Sequence, residues 1–143
     1  MRRGWRIAAT IVLVAWTLAW GCGRADGPSE TVERFYERLA EARVDGNEEA
    51  LALAREIMDE FFVDEAGGSS RTLEVIGLMV SFAPMLEYRN MRYDLMEEEG
   101  DDALVHVSGT MVMHAESMES SEELDAEFPL MRVDGTWRIK AMR

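Results

Sequence analysis

An α+β domain, with N-terminal helices packed on one face of an antiparallel sheet, is the fold this sequence predicts, and three observations predict it. Between Ser29 and Phe82 apolar residues recur at helical spacing in three runs. After Pro84 the apolar period changes to two. Near the end, Asp134-Gly135 separates two alternating runs, which is a strong short-range signal for a two-residue hairpin. Helices followed by a meander of strands leave the helices on one side of a single sheet.

The first helix is expected from Ser29, a capping residue, with Glu30 and Glu33 at the end where the helix dipole favours acids. Val32, Phe35, Tyr36 and Leu39 make its apolar face, and Asp45-Gly46 ends the segment. Asn47 is expected to cap a second helix whose apolar face is Leu51, Ala54, Ile57, Met58, Phe61 and Phe62, closed by Gly67-Gly68. A third helix, from about Ser70 to Phe82, carries one stripe of Leu73, Ile76, Gly77 and Val80 and a second of Val75, Leu78, Met79 and Phe82. Being apolar nearly all round, it requires cover on more than one side.

Met91, Tyr93 and Leu95 then share one side of a strand that runs into the acidic stretch 97–102, read as a turn. The next strand, Ala103 to Glu116, puts Val105, Val107, Met111 and Met113 on one face and His106, Ser108, Thr110 and His114 on the other. A polar link over 119–123 leads to the strand Leu124–Val133. The Asp134-Gly135 turn pairs Val133 with Thr136, so Leu130 faces Ile139 and Arg132 lies beside Trp137, in reach of a cation–π contact.

Ahead of the domain, the basic start Met1-Arg2-Arg3-Gly4-Trp5-Arg6 and the apolar run Ile7–Trp20 have the form of a secretory signal. The run is shorter than the roughly 20 apolar residues a bilayer span requires. Leu18-Ala19-Trp20-Gly21-Cys22 resembles the lipobox of bacterial lipoproteins, in which the cysteine is alkylated by diacylglycerol before the signal is cut. The resemblance implies a signal peptide over 1–21, lipid attachment and a polar tether over 22–28, and a domain over 29–143. The location implied is the bacterial cell envelope, exported and lipid-anchored to a membrane. The other reading places an ordinary signal-peptidase site at Ala19 and Gly21 and leaves Cys22 as a free N-terminal thiol. Cys22 is the only cysteine, so no intramolecular disulfide can form.

The chain carries 15 basic and 28 acidic residues, a net charge of −13, and three of the arginines belong to the signal. Such a domain repels nucleic acid and anionic lipid, so neither is an expected partner.

The stretches Ser29–Tyr36, Ala103–Thr110 and Glu127–Ile139, the last with its aspartate-glycine-x-tryptophan hairpin, resemble the opening helix, central strand and final hairpin of NTF2-like (cystatin-like) domains. More narrowly, the chain is similar to small bacterial lipoproteins of unknown function that carry such a domain. The resemblance implies a curved sheet wrapped around the helices as a cone that often holds an apolar pocket. Its candidate lining is Val105, Val107, Met111 and Met113. Some relatives are isomerases, dehydratases or cyclases, and many are silent binding modules, so the fold alone does not choose.

An enzyme on this fold needs an ionisable group directed into the cone. His114 is the candidate, and it turns inward only if a bulge at Gly109 reverses the strand's parity. Eight residues separate His106 from His114, about 26 Å along a straight strand, so they cannot share an ion. Met111, Met113, His114 and Met118 resemble soft copper(I) spacings, but Met111 and Met113 share the core face, where methionine is a common filler. The expectation is no metal and no cofactor. No nucleophile motif and no phosphate-binding glycine loop is present in the sequence. The function expected is therefore that of a non-enzymatic envelope lipoprotein, held at the membrane by a lipid anchor. It binds a small apolar ligand or another envelope protein, or pairs as a homodimer through the sheet or the third helix. The competing reading is an isomerase- or hydrolase-like enzyme.

Overall fold

The computed structural model of the protein describes residues 26–63, 69–140 and 142. The readings made for 1–21 and for Cys22 lie outside them. Three helices, α1 (Pro28–Ala40), α2 (Asn47–Phe61) and α3 (Ser69–Phe82), pack on a curved antiparallel sheet. Its strands are β1 (Leu86–Glu99), β2 (Asp102–Ala115), β3 (Met118–Val133) and β4 (Thr136–Ile139), in the spatial order of the chain. The expected α+β architecture is the observed one.

Helix α1 begins one residue earlier than Ser29. Pro28 occupies its first turn, where the missing N–H costs nothing, and Gly27 is the cap residue. Asn47 likewise lies inside α2, with Gly46 at the cap in a left-handed conformation (φ 112°). The Asp45 N–H is satisfied instead by Glu49 Oε2 at 2.8 Å. Val32, Phe35, Tyr36 and Leu39 are buried, as their spacing predicts. Phe35 sits at the centre of the core, with ring centroids 5.4 to 6.1 Å from Tyr36, Phe61, Phe62 and Phe128. Burial of such a ring contributes about 1.5–3 kcal/mol before any edge-to-face term.

The third helix departs from expectation. Ile76 and Val80 are fully buried, but Val75, Leu78 and Phe82 of the second stripe stand exposed. The domain's own sheet does not cover them. Leu51, assigned by spacing to the apolar face of α2, is also exposed.

Two stretches read as turn or link are strand. Glu97–Glu99 continue β1, and only Gly100-Asp101, with Gly100 at φ 59°, make the turn. Residues 119–123 pair with Thr110–His114 as the first half of β3. These residues are exposed, so no face has to be apolar and backbone pairing alone sets the conformation. The last hairpin has the predicted register: Val133 opposite Thr136, Leu130 opposite Ile139, and the Arg132 guanidinium 4.6 Å from the Trp137 ring centroid.

A β-bulge interrupts β1 between Arg89 and Arg92, where Asn90 takes a φ of 53°. Gly109 of β2 lies against it. A Cβ there would stand 2.6 Å from the Met91 sulfur and 3.1 Å from the Arg89 carbonyl oxygen, which explains the glycine. Because the bulge belongs to β1, β2 keeps its parity, and its pairing with β3 runs unbroken from Asp102–Met131 to Ala115–Met118.

Candidate functional site

The interior of the cone is packed with side chains. Val105 and Val107 are fully buried in the core with Phe128, Leu130 and Ile139. Met111 and Met113, on the same face of β2, are half-buried and lie beyond that core. The four therefore do not form one pocket lining. Toward β1 the interior is closed by Tyr36, whose ring lies 5.3 Å from Tyr88 and 6.1 Å from Tyr93. Burial pushes the Tyr36 hydroxyl far above its ordinary range, with Tyr88 and Tyr93 adding to it. Burial, followed by the charges of Glu33 and Glu37, takes Tyr93 up to about 12. These phenols stay protonated at neutral pH, which suits none of them to act as a general base.

His114 stands on the other face of the sheet, as the unbroken parity of β2 requires. Its Nε2 is 3.0 Å from Glu87 Oε2 and its Nδ1 is 3.4 Å from Glu119 Oε2. Arg89 joins them, pairing with Glu87 at 2.7 Å and Glu119 at 3.8 Å. The hydrogen bond from Arg89, and then that from His114, hold the Glu87 carboxyl down at about 2. The cluster flanks Val112, which is buried although it sits on this outer face. His106, farther along that face, is paired with Asp125 at 2.6 Å. Among the described residues no three His, Cys, Asp or Glu side chains are arranged to hold a metal ion.

An open concavity lies elsewhere, at the sheet edge where α2, α3 and the β3–β4 hairpin meet. Its volume is about 850 Å³, within the usual range for a small-molecule site. Arg55, Met58, Asp59 and Phe62 present one helical face to it, since spacings of three, four and seven residues bring side chains onto one stripe. Leu73 of α3 and Met131 and Val133 of β3 complete an apolar base. Arg138 pairs with Met131 across the hairpin and reaches the end of α2, donating from Nη1 to the Asp59 carbonyl at 2.6 Å and the Glu60 carbonyl at 3.1 Å. Sequence reasoning did not find this groove. The spacing from Arg55 to Phe62 was its only local trace.

A smaller concavity of about 250 Å³ lies between α1 and Trp137, where Arg34 bridges Asp26 and Glu60. Its polar rim is already paired.

No protein-family model matches the chain, and no curated protein does. Solved structures do. An NTF2-like protein with a cystatin-like fold from Novosphingobium aromaticivorans superposes with a TM-score of 0.53 at 12% identity, covering 80% of this chain and 75% of that one. A protein of unknown function from Bacteroides thetaiotaomicron gives a TM-score of 0.52 at 20% identity, with 81% and 88% covered. At such identities the likeness establishes the fold, an NTF2-like α+β cone, and nothing about activity.

Proposed function

We propose that the chain is a non-enzymatic binding module of the bacterial cell envelope, tethered to a membrane through an acylated Cys22, which holds a small apolar ligand in the edge groove. The observation that carries the binding reading is the contrast between the two concave regions. The cone, where an enzyme of this fold would keep its acid or base, is filled by aromatic and aliphatic side chains, and His114 is on the opposite face. The groove is open and apolar at its base. The tether rests on the basic start, the apolar run and the solitary cysteine. The segment 23–27, ahead of α1 and at about 3.5 Å per extended residue, keeps the domain within about 18 Å of its anchor. Two acyl chains give stable attachment where one does not.

The exposed stripe of α3 favours a second reading, in which another envelope protein or a second copy packs on Val75, Leu78 and Phe82.

Native mass spectrometry of the protein taken from its own membrane tests both halves. The expected result is an N-terminal Cys22 carrying acyl chains and a retained small apolar molecule. Replacement Cys22→Ser removes the alkylation that precedes cutting, and is expected to leave an uncut chain without acyl chains, heavier by residues 1–21. A mature mass without acyl chains overturns the tether, and failure of any apolar small molecule to bind overturns the groove.

A further inference from the structure

The charged groups of the groove narrow the ligand class further. Two arginines from elements far apart in sequence, Arg55 on α2 and Arg138 on β4, line it, against one carboxylate, Asp59, among the described lining residues. Arg138 spends its Nη1 hydrogen bonds on backbone carbonyls, and no carboxylate of the described residues pairs with it. Arg55 has no ion pair among the described residues. Arg34, Arg38, Arg89 and Arg132 each pair with an acid, whereas Arg43, Arg71 and Arg92, like Arg55 and Arg138, make no ion pair among the described residues; what sets Arg55 and Arg138 apart is that both line the groove. In a chain of net charge −13, described lining residues that carry two guanidinium groups to one carboxylate beside an apolar surface favour an anionic ligand.

We infer that the groove takes an amphiphile with one anionic head, of the long-chain carboxylate class, its head at Arg55 and Arg138 and its alkyl chain on Met58, Leu73 and Met131. This rests on the binding reading above and adds the head group to it. Two guanidinium donors from different elements suit a carboxylate, whose two oxygens accept separately, and charge-assisted bonds of this kind are about twice as strong as neutral ones. The alkyl chain contributes about 0.8 kcal/mol for each methylene removed from water. Asp59 limits the affinity, since a like charge stands near the head.

The test is calorimetric titration of the mature chain, residues 22–143 with Cys22→Ser and without the signal, with three twelve-carbon probes below their micellar concentrations: dodecanoate, dodecanol and dodecyltrimethylammonium. Dodecanoate is expected to bind about tenfold more tightly than dodecanol, and the cation more weakly than either. Arg55→Gln, at an exposed helical position that leaves the core untouched, is expected to lower dodecanoate to the affinity of dodecanol. Asp59→Asn is expected to tighten dodecanoate alone, a gain that no loss of folding can mimic. Equal binding of dodecanoate and dodecanol, or tighter binding of the cation, overturns the anionic head and leaves an apolar site standing. Failure of all three probes overturns the binding reading and this inference together.

Discussion

Glu87 shows how much a single side chain on this sheet owes to its neighbours. It is a surface side chain, yet Arg89 two residues away on β1 and His114 across the ladder hold its carboxyl at about 2 against an ordinary 4.5. A depressed carboxylate supports the fold while ionised. Its contribution is complete above pH 4.5 and fades as the pH falls toward 2. At an exposed site, screening keeps that contribution small. A ¹³C titration of the side-chain carboxyls should place the Glu87 midpoint near 2, and Arg89→Gln should raise it toward the ordinary value. A midpoint already ordinary in the parent protein would show that the Arg89 pairing does not form in solution. The legibility of this site was partial. The outward parity of His114 follows from simple alternation, but its partners come from β1 and β3, and the register joining them depends on a bulge with no sequence signature of its own beyond Gly109.

Among the elements, α3 carries the sharpest contrast between two apolar stripes of similar composition. Ile76 and Val80 are buried in the core, whereas Leu78, between them on the opposite side of the helix, is 59% exposed. Ile76→Ala should therefore cost about 2–5 kcal/mol in urea unfolding. Leu78→Asn should stay within about 0.5 kcal/mol. Comparable losses from both would mean that the second stripe is covered in the free protein. Helical spacing alone could not distinguish the stripes, because periodicity reports which residues share a face and not which face meets a neighbour. The terminal hairpin was readable to the residue pair, since a two-residue turn fixes its own register locally. The start of β3 was not, because 119–123 is polar on both faces and only its pairing with β2 makes it a strand.

At the scale of the whole molecule, long-range contacts decide what local pattern leaves open. The order of elements and the helices-on-sheet layering were legible from the change of apolar period. The groove was not, since its walls join α2, α3 and the last hairpin, with Arg55 and Arg138 more than half the chain apart. The same closure appears in the backbone. Phe62, just past α2, pairs in parallel with Ile139, and the Val63 N–H donates to the Ile139 carbonyl at 3.0 Å. A chain stopped at Gly135 loses that strand and the cover over Leu130, and is expected to give collapsed amide dispersion in its NMR spectrum; well-dispersed native shifts would show that β4 is dispensable. The Phe62–Ile139 bridge also sets a schedule. The helices are complete long before their final partner has been synthesised, so the nascent domain must wait with its core open. Once released it is expected to refold at the slower pace, milliseconds to seconds, of chains that have to find their own far end.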